Sequence, residues 1–431
     1  MRLVFLLMLY FFCHLGYSQK SSIDTTNHSY RKELEKMYLQ RTSKTTRSFK
    51  SISDIKIREE VSKSYIEMNE DFIEKIKKGV FVKDTLYSEF LNEIVQRLAI
   101  ENTDFPQIKN TKILLSFSDI PNAYAIGDDF IIVTLPLLKS INNEYELAFI
   151  IGHEIAHNIL SHSYNGLLDY AQTVHSSEIK KQTRAIEKRK YDKGSYASAL
   201  YKEIVYGKRK NSRKLEQQAD SLGFLLYRKA FKGYEHYAIQ SLETLDKIDF
   251  EKDSLTIADY ARFFSTEKLQ FKAEWLNNDE ISGYKYDKSV KYWLIDSLKT
   301  HADCALRTGF MKKEFQIHKT LEKKNTAIFD SVKKNSFYDY ILGLFVIEDY
   351  GKSLYETLLF LKKEPENSYL KNLVYFNLVK IQEAQKAYTL NRHLDNVNPN
   401  YSQSYNRYLS FIRELRKSEL NEFISYYSLQ L

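Results

Sequence analysis

"LAFIIGHEIAHNILSH", residues 147–162, sets two histidines four positions apart, with a glutamate directly after the first, inside an otherwise apolar run. The apolar spacing is helical and predicts a long helix starting at Glu144. Residues i and i+4 of a helix share a face, so His153 and His157 would turn ring nitrogens toward one ion, while Glu154, about 100° round the helix, points beside it. That combination is a zinc site with a base next to it. The competing reading is a core helix holding two hydrogen-bonded histidines, and the metal reading needs a third protein ligand from elsewhere.

His162 stands one residue short of where a metzincin extension would place its third histidine, and Leu160 and Ser163 occupy the positions where that extension needs glycine and histidine. His162 is therefore read as a helix-end histidine that supports a ligand. The better third ligand lies in "LEQQADSLGFLL", residues 215–226. In a helix Glu216 and Asp220 share a face, and Ala219 with Gly223 make that side narrow enough to lie close against the first helix near Ala156. Glu216 would then complete the zinc site, and Asp220 would accept a hydrogen bond from a ligating imidazole and fix its tautomer. An ordinary acidic stripe is the bland alternative for this segment alone.

Around these motifs the chain is long, 431 residues, with 13 Gly, 5 Pro and 28% charged residues. Such a composition predicts mainly helix and few tight turns. The opening "MRLVFLLMLYFFCHLGYSQK" has one positive charge before an apolar core from Leu3 to Phe12 and small residues at Gly16 and Ser18. It reads as a secretory signal over residues 1–18, its core being far short of the roughly 20 apolar residues that span a bilayer. Bulky Tyr10, Phe11 and Phe12 before Cys13 are wrong for lipoprotein processing. With the signal removed, Cys304 is the remaining thiol, so no internal disulfide is expected. The net charge of +8 is modest for this length and argues against a nucleic-acid partner.

Residues 19–54, rich in Ser, Thr, Lys and Arg, read as a polar linker with at most one short helix around Lys32 to Leu39. Helical spacing follows from Ile55 to Ile100. The texture changes at "KILLSFSDIPNAYAIGDDFIIVTLPLL", residues 112–138, where β-branched and aromatic runs broken by Pro121 and Gly127-Asp128-Asp129 predict two or three short strands and a tight turn. The basic stretch 179–214 reads as a solvated helical excursion or as an electrostatic contact to an anionic membrane surface or substrate. From about residue 310 onward the pattern is helical, with Gly351 and Pro365 placed as in degenerate tetratricopeptide-type helix pairs.

The segment "PNAYA", with Asn122, Ala123, Tyr124 and Ala125, precedes the predicted hairpin, where an exposed edge would take a peptide in extended form through main-chain hydrogen bonds. Downstream, "THADCALRTG", residues 300–309, offers His301 and Arg307 as donors for a developing oxyanion. In the expected reaction the metal activates water and Glu154 takes its proton, then returns it to the departing amine.

Taken in order, PNAYA, HEIAH, LEQQAD and THADCALR resemble the NA(F/Y)A, HExxH, ExxxD and THPxxxxR pattern of gluzincin metallopeptidases of the HtpX and CAAX-prenyl-protease type, metallopeptidase family forty-eight, over roughly residues 60–310. The resemblance implies an α+β fold, mainly α with a small β-sheet, over residues 55–310, followed by an all-helical region over 311–431. It implies Zn2+ bound by His153, His157 and Glu216, Glu154 as base, Asp220 behind a ligand, and His301 with Arg307 steadying the intermediate. Ala302 replaces the usual proline. With no transmembrane run expected after its signal, the chain looks more like the soluble exported BepA-like branch than the integral-membrane members, which implies a periplasmic or cell-envelope endopeptidase acting on polypeptides in quality control. Peripheral contacts with membrane or outer-membrane proteins would then use the basic segment or the C-terminal helices. The alternative is a catalytically weak, zinc-containing client-binding protein built on those helices.

Overall fold

The computed structural model describes residues 23–248, 254–276, 304–317 and 324–430. Among the described residues the chain divides into two compact units, one of residues 23–248 with 304–317 and 324–334, and the other of residues 254–276 with 335–430.

The first unit opens with α1 (His28–Ser48), capped by the Asn27 side chain, and α2 (Ile55–Lys77), capped by Asp54. After the short strand β1 (Phe81–Val82) come α3 (Thr85–Glu101) and the strands β2 (Lys112–Ser116), β3 (Ala123–Gly127) and β4 (Phe130–Thr134). The sheet order is β1-β2-β4-β3; β4 runs parallel to β2 and antiparallel to β3, which leaves β3 at an edge. All five residues of β4 are buried. Their alternation sends Phe130 and Ile132 to one face and Ile131 and Val133 to the other. On the first face Leu34 and Tyr38 of α1 meet Phe72, Ile76, Phe81, Leu114, Phe130 and Ile132. Each of these large side chains contributes roughly 1.5–3 kcal/mol through burial.

Beyond the sheet lie α4 (Leu135–Ser140), α5 (Glu144–Ile159), α6 (His162–His175), α7 (Ser177–Glu187), α8 (Lys193–Ala230) and α9 (His236–Asp246). The HEIAH segment sits in α5, whose first turn is closed by Asn143: its Oδ1 accepts from the N–H groups of Tyr145 and Glu146 at 3.0 and 2.9 Å. Every residue of α5 from Tyr145 to Ala156 is buried. The basic stretch passes through α7, which buries none of its residues, and into the start of α8. The unit is completed by α11 (Cys304–Glu314) and the beginning of α12 (Ala327–Val346).

The second unit contains α10 (Ile257–Phe263), the rest of α12, and two helix pairs, α13 (Tyr350–Lys363) with α14 (Ser368–Lys386), then α15 (Gln403–Glu414) with α16 (Lys417–Ser428). Pro365 falls in the turn of the first pair. The second pair follows after the short turn Leu390–Arg392 and an irregular stretch, and it packs on the first, with the Tyr355 ring 4.9 and 5.0 Å from those of Tyr405 and Tyr408. Phe264 packs on Phe411 and Phe423, with ring centroids at 4.8 and 5.2 Å.

Two boundaries differ from the sequence expectation. Residues 28–48 form a 21-residue helix rather than a linker, because Leu34, Tyr38 and Thr42 recur every four residues and bury one narrow stripe in an otherwise polar helix. The single division at 310/311 is replaced by an interleaved one: residues 254–276 join the C-terminal helices through their aromatic rings, while residues 304–317 return to the first unit. The proposed signal, residues 1–18, lies outside the described residues. No helix among the described residues is long and apolar enough to cross a membrane.

Candidate metal centre

The site is made where α5 and α8 touch. A Cβ built on Gly223 would lie 2.8 Å from the His153 Cα, and one on Gly152 would lie 3.3 Å from the Gly223 carbonyl oxygen. Only glycine lets the two backbones come this close. Ala156 and Ala219 are fully buried in the same region. Close approach brings Glu216 of α8 under both imidazoles: its Oε2 lies 3.5 Å from His153 Nε2 and its Oε1 3.5 Å from His157 Nε2. The two Nε2 atoms are 3.0 Å apart. One ligand atom from each of His153, His157 and Glu216 falls within 4.8 Å of the others, a cluster that could hold a metal ion.

The surroundings fit such an ion. Asp220 Oδ1 lies 2.9 Å from His153 Nδ1. An imidazole that donates from Nδ1 keeps the Nε2 lone pair for the centre. His162 Nδ1 lies 2.9 Å from His157 Nδ1, so the second imidazole is backed on its far side as well. Burial pushes the His162 imidazole toward the neutral form. Two nitrogens and one carboxylate converge as in a site with an open position.

Arg307 of α11, 5% exposed, is the counter-charge. Its Nε and Nη2 donate to Asp220 at 2.9 and 2.6 Å, and Nη1 lies 3.3 Å from Glu216 Oε2. Burial would raise the Asp220 carboxyl, but the guanidinium and the His153 imidazole hold it well below the usual carboxylate range. Burial and Arg307 push His153 down, yet Asp220 and Glu216 prevail and lift it to about 9. Sequence reasoning gave Arg307 to the oxyanion; the structure directs its donors at Asp220 and Glu216, because a guanidinium buried this deeply needs carboxylates in reach. His301 lies outside the described residues.

Glu154, 1% exposed, sits beside the cluster with Oε1 4.0 Å from His153 Nε2. Its Oε2 accepts from the backbone N–H of Ala125 at 2.8 Å. The base candidate is thus tied to the edge strand, a link the sequence did not reveal because the donor is main chain. Asn122, Ala123, His153, Glu154 and Arg307 line a recess whose remaining walls, Phe149, Ile150, Leu242 and Leu245, are apolar. Leu242 and Leu245 were missed; the apolar spacing of residues 237–245 was their only signal. The Tyr124 side chain does not face this recess. Alternation along β3 turns its ring away from Ala123 and Ala125 and packs it on the Leu34 and Tyr38 cluster.

Comparison with known proteins agrees with this geometry. Over 172 residues, 37% of this chain, it is 27% identical to the mitochondrial metalloendopeptidase OMA1 of Bos taurus. Over 193 residues, 42% of this chain, it is 26% identical to the same-named protein of Homo sapiens. The chain spans about a third of the length of these curated relatives, 32% and 35%. The model of peptidase family M48 matches residues 86–301, half of the chain, and takes in β2 to β4, the HEIAH helix and Glu216. With that match lying over a His-His-Glu cluster, the chain belongs to peptidase family M48.

Proposed function

We propose that this protein is an exported zinc endopeptidase that cleaves polypeptides with Glu154 as general base. The observation that carries the reading is the convergence of Glu216 with His153 and His157, with Glu154 alongside. The two relatives are metalloendopeptidases by name, which supports cleavage within polypeptides. His153, His157 and Glu216 would hold zinc, which when bound supplies a Lewis acid for the scissile carbonyl and lowers the pKa of water toward about 7.

The protein's own groups do the rest. Asp220 keeps His153 in the tautomer that leaves Nε2 for the ion, and His162 backs His157. The Ala125 N–H fixes one oxygen of the Glu154 carboxylate, and the other is placed to take a proton from water and deliver it to the leaving amine. A substrate strand would pair along the outer edge of β3, and the recess walled by Phe149, Ile150, Leu242 and Leu245 would receive an apolar side chain. The apolar N-terminal stretch supports export to a cell envelope, where damaged polypeptides are natural substrates for such a site.

The test is Glu154→Gln, which keeps shape and ligands but removes the base. It should retain bound zinc by elemental analysis and lose casein cleavage by about 10²–10⁴-fold. Unchanged turnover would remove Glu154 from the chemistry.

A further inference from the structure

The hairpin joining β3 to β4 turns through Asp128 and Asp129, whose φ angles are +52° and +63°, directly after Gly127 at +89°. A two-residue turn with both φ angles positive matches the twist of a hairpin, but it favours Asn-Gly or Asp-Gly. Two aspartates in succession carry backbone strain that persists only where neighbours over-determine it. Here they do. Asp128 Oδ1 accepts from the Thr45 hydroxyl of α1, and Oδ2 accepts from the Tyr65 hydroxyl of α2 at 2.5 Å. Its backbone carbonyl accepts from Arg41 Nη1 at 3.2 Å. The Asp129 carbonyl takes the Lys112 N–H of β2 at 2.8 Å.

What this tip controls is the edge strand. Pairing between β3 and β4 is irregular between Ala125 and Gly127, and Ala125 is the residue whose N–H reaches Glu154. A bulge next to a strained turn would let the strand shift unless its end were held. Both holding helices, α1 and α2, precede the segment that matches the family model.

We propose that Asp128 is a positioning residue: through it the N-terminal helices clamp the hairpin tip, keeping the edge strand in register with Glu154. The proposal rests on the hydrolytic reading above. Its test uses the full-length zinc-loaded protein carrying Tyr65→Phe with Thr45→Val, which removes both hydroxyl donors and leaves the ring packed beside Phe49 and Val61. Hydrogen exchange of the amides in Ala123–Gly127 should rise about tenfold while α5 is unchanged. Because the substrate strand would pair with β3, the kcat/KM for casein should fall several-fold with KM raised, whereas partial unfolding would lower kcat and leave KM unchanged. Asp128→Asn keeps an acceptor and tolerates a left-handed backbone. It should stay within about twofold of the wild type, and Asp128→Ala should match the double variant. Wild-type exchange in β3 and wild-type KM in the double variant would overturn the clamp. A wild-type protein that cleaves no polypeptide would overturn the hydrolytic reading itself, before any variant is compared.

Discussion

The two units bury polar groups in different ways. In the first, His153, Glu154, Glu216, Asp220 and Arg307 are each at most 5% exposed and meet at one point. In the second, the buried polar residues among those described are almost all neutral, with Asp339 the exception. Asn377 is typical: its amide donates to Ser353 Oγ at 3.0 Å and to the Leu373 carbonyl at 2.9 Å. Buried charge is expensive unless paired, while a buried amide needs only a neighbour. The contrast teaches where the chain tolerates cost: charges are concentrated where a metal would use them, and neutral hydrogen bonds suffice where helices only pack.

Three substitutions would break or sharpen that contrast. Arg307→Leu leaves Asp220 and Glu216 buried without their cation and should destabilise the metal-free protein by about 3–5 kcal/mol in urea unfolding. A loss no larger than that of a surface arginine would show that the cluster is not held by charge. Gly223→Ala drives a methyl group into the α5 backbone at His153 and should cost about 1–3 kcal/mol while weakening zinc binding in a competition titration. Tight zinc binding in this variant would mean that the helices separate without moving Glu216. Asn377→Ala, in the second unit, should cost only about 1 kcal/mol and leave zinc affinity unchanged.

Much of the centre could be read in the sequence because its parts are local. Two histidines at i and i+4, and Glu216 with Asp220 at the same spacing, each declare a shared helix face, and the small residues Ala219 and Gly223 announce close packing. The β-branched runs likewise showed the strands. What stayed hidden depends on distant partners. The donors that explain Asp128 lie 83 and 63 positions away, and nothing near them marks them as such. Residues 28–48 bury only three side chains of a 21-residue helix, too narrow a stripe for composition to betray. The attachment of α10 to the C-terminal helices rests on rings such as Phe264 and Phe411 that look like any other aromatics. Arg307 stands out in its motif, but its contacts with Asp220 could not be read there, since those bonds span 87 positions.

That interval matters during synthesis. A nascent chain has produced both imidazoles and all three carboxylates of the centre long before the ribosome reaches Arg307, and until then Asp220 and Glu216 lack the guanidinium they pair with. The reactive assembly is therefore completed late, by a helix that arrives after α10 has already been made, so a prematurely terminated product would carry the HEIAH motif without the cation that lets its surroundings close.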